Sequence, residues 1–127
     1  GRKTYESLPC EGLPSRINVV ITSEPEKMKS KNGSVLFCTL EESEEKIKKM
    51  LEKHNKKVFV IGGSEIYKIF YKRCEKIHVT MVENEVMDGV SIYPLLCDIK
   101  ESYKIKSIRS KYDDVIEEYE FQTYVRK

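Results

Sequence analysis

The chemistry this chain could do begins with backbone groups. Gly62-Gly63-Ser64 follow the apolar run Val58-Phe59-Val60-Ile61 and lead into Glu65-Ile66-Tyr67. Without a Cβ, two glycines allow φ values closed to other residues and let the main chain approach a bound group closely. A helix opening at that point offers unpaired amides and a partial positive charge, the ordinary receptor for a phosphate. An ordinary strand-to-helix turn would read the same way, and neither a GxGxxG fingerprint nor a P-loop Lys-Ser/Thr pair is present. Arg2, Lys3 and Thr4 supply two cations and a hydroxyl, although such a pair at a terminus is often only solvated. Thr22-Ser23-Glu24 close another apolar run, a ligand-facing position in an open α/β sheet. Arg16 is either a surface arginine beside a turn or a bidentate anion ligand. His78 alternates away from Ile77 and Val79, has no second histidine nearby in sequence, and reads as structural.

These groups need a framework to hold them, and 127 residues suffice for one domain with its own core. Charged residues form 35% of the chain and hydrophobic ones 39%, a folded, well-solvated composition. A net charge of +2 implies no strong attraction to nucleic acid or to a membrane. Cys10, Cys38, Cys74 and Cys97 are widely separated, with no CxxC pair and no clustered histidine. That argues against a zinc site or a disulfide framework, and the expectation is reduced thiols in a cytoplasmic protein. Asn32-Gly33-Ser34 reads as a turn rather than a glycosylation acceptor.

Residues 58–61 suit a strand buried on both faces, followed by a helix N-capped by Ser64 with Ile66, Tyr67, Ile69 and Phe70 at helical spacing. Residues 1–7 predict a short helix, and 8–15, with Pro9, Gly12 and Pro14, a break. Strands are predicted over 17–22, 35–38 and 77–82. Thr39 and Glu42 form a capping box for a helix whose apolar stripe is Leu40, Ile47, Met50 and Leu51. Its acids lie early and its lysines late, in agreement with the helix dipole, so the lysine run reads as a solvated face. Residues 84–93 read as an irregular connection closed by Pro94. Two long strands, 103–109 and 117–125, finish the chain, joined around 111–114. In the last, Tyr119, Phe121, Thr123 and Val125 face one way, while Glu118, Glu120 and Gln122 face the exposed side.

Several segments in this order resemble the dihydrofolate reductase family. Gly1-Arg2-Lys3-Thr4-Tyr5-Glu6-Ser7 is similar to its GR(K/H)TWES segment, with Tyr5 where tryptophan is usual. Leu13-Pro14-Ser15-Arg16-Ile17-Asn18-Val19-Val20-Ile21 is similar to LPGRxNIVL, and Val60-Ile61-Gly62-Gly63-Ser64-Glu65-Ile66-Tyr67 to (V/I)IGGxxxY. Thr80 falls in the strand that usually reads (L)xxTxI. The acidic-Gly and Tyr-Pro stretch over 88–94 and the closing antiparallel pair extend the resemblance over essentially the whole chain.

The resemblance implies an α/β fold, with a dihydrofolate-reductase-like, mostly parallel central sheet, flanking helices and a C-terminal antiparallel strand pair. It implies NADPH-dependent reduction of dihydrofolate to tetrahydrofolate. Arg2, Lys3 and Thr4 would contact the cofactor phosphates, with Thr22, Ser23 and Glu24 beside the adenosine ribose. Ser23 would make any direct phosphate contact there, since Glu24 would not help hold an anion. Gly62, Gly63, Ser64, Glu65, Ile66 and Tyr67 would carry the pyrophosphate, with Tyr67 toward the nicotinamide. Arg16 would grip the glutamate carboxylate of the substrate, and Leu8, Leu13 and Ile61 would wall its pocket.

No catalytic residue of the family's pattern falls within the chain. The proton-managing carboxylate, the first strand, a mobile loop and the first long helix belong before Gly1, and Thr80 would support that carboxylate. Without the first strand, the runs at 58–61 and 77–82 would stand about 10 Å apart with unpaired inner edges. The expectation is therefore a single domain, 1–127, completed by a further N-terminal segment or a separate chain, and inactive alone. Its partner is a small-molecule substrate, with no nucleic acid or membrane, and the protein is a monomer or paired with that segment. Two other readings stay open: a non-catalytic NADPH-binding fragment, and a related reductase of the same fold acting on a pteridine or a ribosylaminopyrimidine.

Overall fold

The computed structural model describes residues 1–82, 92–113 and 117–127. Its contacts fall into two compact units, Gly1–Ile66 and Tyr67–Lys127.

In the first unit, α1 (Arg2–Glu6) precedes β1 (Asn18–Ile21), which pairs in parallel with β2 (Val35–Cys38) in the register Val20↔Phe37 and Ile21↔Cys38. Val20, Val35 and Cys38 are buried, as expected of β-branched and small apolar residues on a covered pair. A 3-10 turn, Pro25–Lys27, follows β1. α2 (Leu40–His54) starts where the capping box places it: Thr39 Oγ1 accepts from Glu42 N, and Glu42 Oε2 accepts from Thr39 N at 3.1 Å. Its end is closed by Asn55 in the left-handed region, whose N–H donates to Leu51 O.

Residues 58–61 depart from the expected buried strand. No ladder among the described residues includes them, and Val58, Phe59 and Ile61 are 52%, 73% and 48% exposed. The reason is elementary: a strand is defined by its neighbour, and an apolar run lacking one stays open. The helix after the glycines, α3 (Ser64–Phe70), has Ser64 as its first residue.

The second unit holds an antiparallel sheet in the order β3-β5-β4, with β3 at Lys76–Val82, β4 at Tyr103–Asp113 and β5 at Glu117–Arg126. The helix α4 (Tyr93–Ser102) was not anticipated, because Pro94 reads as a terminator. It instead occupies the first turn, where a missing N–H costs nothing. Leu95, Leu96 and Ile99 of α4 bury against Val79, Tyr103 and Tyr124, and Tyr67, Tyr71, Ile77 and Met81 pack around them.

The burial of β5 also differs from expectation. Tyr124 is 1% exposed, whereas Phe121 is 45% exposed. The core thus lies on the face of Tyr124, Gln122 and Glu120. There Tyr124 Oη donates to Gln122 Oε1 and Gln122 Nε2 to Glu120 Oε2, so the polar members of that face satisfy one another. Residues 84–91 of the expected connection over 84–93, and with them most of the 88–94 stretch, lie outside the described residues, as does residue 114 of the expected 111–114 join; Tyr93, expected in the connection, opens α4 instead.

Candidate functional site

The first unit brings together the two segments with the best chemistry for a phosphate. Gly1 N donates to Gly62 O at 2.7 Å, and the Cα of Gly1 lies beside Ile66 and the main chain of Gly63. Gly62 has φ 105°, a conformation that glycine adopts without strain, and the peptide joining it to Gly63 is cis. A Cβ on Gly63 would stand 3.3 Å from Thr4 Oγ1, so the turn is a cradle in which a side chain would crowd the Thr4 hydroxyl. Gly1 and Thr4 thus meet Gly62, Gly63 and Ile66, with Arg2 and Lys3 between them in the chain and Ser64 and Glu65 following the glycines.

The geometry of α1 follows from short-range chemistry. Arg2 Nη1 donates to Glu6 Oε1 and Oε2, each at 2.9 Å, one helical turn away. Tyr5 meets Phe37 of β2 edge-on, with centroids 5.5 Å apart and planes at 81°, which sets α1 at the carboxyl end of the parallel pair. At that same end Thr22 is buried. Its N–H donates to Cys38 O at 2.9 Å and its Oγ1 accepts from Glu24 N at 3.3 Å. Ser23 and Glu24 are exposed, and Glu24 forms an ion pair with Lys27. Burial raises the pKa of the Cys38 thiol, which keeps it protonated under the pair.

The loop carrying the expected substrate contacts is held by residues that sequence reasoning did not single out. Asn18 Oδ1 accepts from Leu13 N at 2.8 Å, while its Nδ2 donates to Leu13 O at 3.0 Å and Arg16 O at 3.1 Å. Gly12 packs onto the same side chain at φ 87°, with a Cβ there only 2.8 Å from Asn18 Cγ. Glu11 ties this loop to the one before β2, accepting from Ser30 Oγ at 2.9 Å and Lys31 N at 3.1 Å. An asparagine opening a strand after a Pro/Gly-rich loop is the only local hint of this arrangement.

Leu8 lines an open depression with Tyr5, Glu6, Pro9, Cys10 and Glu11. Leu13 is half-buried, Ile61 is exposed, and neither lines that depression. Arg16 is exposed, with Nη1 donating to Pro14 O at 2.9 Å.

In the second unit, Tyr67 packs partly buried on the core, and Thr80 is exposed on β3 opposite Phe121. His78 Nδ1 lies 3.1 Å from Thr123 Oγ1, in keeping with a structural role. Tyr103 Oη lies 2.6 Å from Tyr71 O and 2.7 Å from Cys74 O, sharing its proton between the first carbonyl of the 3-10 turn Tyr71–Arg73 and that of its C-cap residue. Arg126 adds bonds to Cys74 O and Lys72 O. Among the described residues no group of three or more His, Cys, Asp or Glu side chains could hold a metal ion, and no helix is long and apolar enough to cross a membrane.

Comparison with known proteins points to one family. The chain is 31% identical over 126 residues to the dihydrofolate reductase of Lactococcus lactis, covering 94% of this chain and 72% of that one. It is 29% identical to the Staphylococcus haemolyticus dihydrofolate reductase, covering 99% and 70%. In three dimensions it is similar to the Enterococcus faecalis dihydrofolate reductase complexed with NADP(H) and RAB-propyl, with TM-score 0.72 and 23% identity, over 100% of this chain and 71% of that one. The family model for dihydrofolate reductase matches residues 1–126, so the chain belongs to the dihydrofolate reductase family.

Proposed function

We propose that this protein reduces 7,8-dihydrofolate to 5,6,7,8-tetrahydrofolate with NADPH as hydride donor, and that the activity is complete only when a segment N-terminal to Gly1 is present. The observation that carries the reading is the meeting of α1 with the diglycine turn, in a chain that belongs to this family. A pyrophosphate fits that turn because Gly63 leaves open the space that a Cβ would take beside Thr4. When bound, the cofactor supplies a hydride to a carbon of the substrate's pteridine ring, while a proton reaches the neighbouring ring nitrogen.

The chain's own residues bind and align. Gly62 and Gly63 bring main chain against the pyrophosphate, Thr4 offers a hydroxyl beside it, and Arg2 and Lys3 lie toward the adenosine end with Ser23. Arg16 exchanges its bond to Pro14 O for the substrate's glutamate carboxylate, a planar acceptor that suits its donor fork. Holding donor and acceptor in register is the main contribution open to such a site. Thr80, exposed on β3, stands ready to bond a carboxylate from the N-terminal segment.

The need for that segment is supported by residues 58–61, an apolar run of strand-forming residues of which Val58, Phe59 and Ile61 are exposed and which no described ladder includes. A strand laid against them would bury that surface and leave the glycines at its carboxyl end. Following NADPH oxidation at 340 nm with dihydrofolate, for the 127-residue chain alone and with the N-terminal segment restored, tests the reading. Turnover is expected only in the second case. Turnover by the chain alone, or none in either case, overturns it.

A further inference from the structure

We propose that Asn18 is a positioning residue for the substrate: its side chain locks the turn over residues 13–16, so that the Arg16 guanidinium is aimed at a carboxylate it can hold on two donors. This rests on the reading of Arg16 given above. Asn18 opens β1, where its N–H donates to Ser34 O at 2.8 Å and its Cα pairs with Val35, so its own main chain is fixed to the sheet. From that anchor the side chain reaches back over the turn. Its Oδ1 accepts from Leu13 N at 2.8 Å, and its Nδ2 donates to Leu13 O at 3.0 Å and to Arg16 O at 3.1 Å. Both donors of the amide are thereby spent on main chain, one on each side of residues 14 and 15.

The residues between those two ties do not hold the turn by themselves. The ring of Pro14 sets its own φ, but Ser15 stands at φ 59°, in the left-handed region that a residue with a Cβ occupies only at a cost. Such a conformation persists where its surroundings over-determine it, and the bonds to Leu13 and Arg16 do so from both sides. Gly12 leaves room for the clamp, since a Cβ there would stand 2.8 Å from Asn18 Cγ. Arg16 is exposed, its side chain bonds to Pro14 O, and no acid among the described residues pairs with it. Its charge is therefore unmet while its main chain is fixed. Two parallel bonds to a planar carboxylate need that fixity, because a shift of about 1 Å in the Arg16 main chain would spoil their alignment.

Steady-state kinetics on the protein with the N-terminal segment restored test this, using 7,8-dihydrofolate and 7,8-dihydropteroate, which keeps the ring system and lacks the glutamate. N18A is expected to raise KM for dihydrofolate about tenfold, with kcat and the KM for dihydropteroate each within about twofold of the parent. S15G/N18A should recover about threefold of that loss, because glycine takes the left-handed backbone without the ties. Where N18A gives no folded protein, G12A carries the test: its Cβ pushes the Asn18 amide off Leu13, and a rise of about threefold, again confined to dihydrofolate, is expected. A KM that rises equally for both substrates, or for neither, while R16A raises it for dihydrofolate only, overturns the proposal alone, as does failure of Ser15→Gly to recover any of the loss. An R16A variant that treats the two substrates alike, or a parent protein without turnover, overturns the reading of the site and the proposal with it.

Discussion

Two apolar runs of similar composition meet opposite fates in this molecule. Val58-Phe59-Val60-Ile61 and Ile77-His78-Val79-Thr80-Met81-Val82 are both rich in strand formers. The second is paired along its whole length, from Lys76↔Val125 to Val82↔Tyr119, and buries Val79 to 6% exposure under α4. The first enters no described ladder and leaves Phe59 73% exposed. Their residues do not account for the difference. What separates them is that the second run has β5 beside it, whereas no described strand pairs with residues 58–61. Strand propensity measures the fit to a pleated, half-buried surface and creates no such surface by itself.

The comparison is most exposed to failure in hydrogen exchange. For the 127-residue chain, amides of β3 should exchange on the order of a thousandfold more slowly than those of residues 58–61, since ladder amides open only with the unit. Equal protection in the two runs would show that residues 58–61 are paired after all. On the proposal of an N-terminal segment, adding it should raise protection at 58–61 and leave β3 as it was. Next in size come two truncations read by chemical denaturation. Tyr124→Ala, at a side chain 1% exposed, should cost about 3–5 kcal/mol. Phe59→Ala should stay within about 0.5 kcal/mol. A large cost at Phe59 would mean that its ring is covered in solution.

The same contrast explains which parts were legible in advance. The capping box at Thr39, the strands at β1, β2 and β3, and the long C-terminal pair were readable because their signals are local: a hydroxyl three residues before a glutamate, or a β-branched run between turns. The helix α4 was not, since proline at a first turn and proline after an end look alike without the packing of Leu95, Leu96 and Ile99. The inward face of β5 was misjudged because alternation gives two faces and does not say which is covered. Of the site, the diglycine turn and Arg2, Lys3 and Thr4 were visible as residues. Their meeting spans 61 positions and entered only through the family resemblance. Asn18, Tyr103 and Arg126 passed unnoticed because their carbonyl and amide partners are set by tertiary structure.

Tyr103 sharpens the comparison at a smaller scale. Tyr103→Phe keeps the ring in the core and removes the hydroxyl from Tyr71 O and Cys74 O. The expected loss is about 1–2 kcal/mol, because the two carbonyls that bracket the turn lose their shared donor. Thermal unfolding of Tyr103→Phe beside the Arg126→Ala variant checks it. If Tyr103→Phe costs nothing, the Cys74 N–H on Tyr71 O and Arg126 on Cys74 O suffice for these carbonyls, and the Tyr103 hydroxyl adds nothing to the order of the second unit.

The smallest effect belongs to a region that is irregular and yet partnered, and it shows that regular structure is not what separates the two runs. Glu11 lies in a loop, but its carboxylate is held below the usual glutamate pKa, first by the hydrogen bond from Ser30 Oγ and then by the Lys31 N–H. A depressed carboxyl pKa contributes stability that is present above the unfolded value and lost as pH falls through the folded one. Acidification should therefore loosen the tie between the loops around Glu11 and Ser30, at a pH below the ordinary glutamate range. Ser30→Ala removes the largest cause, so the Glu11 carboxyl, followed by NMR titration, should move up toward its usual value, and the loop should loosen at correspondingly higher pH. Because Glu11 is exposed, the change should be confined to these loops and leave the unfolding of the second unit unaltered. A Glu11 titration indifferent to Ser30→Ala would place this loop with residues 58–61, held by nothing specific, and would remove the distinction between an irregular segment with partners and a strand-like one without.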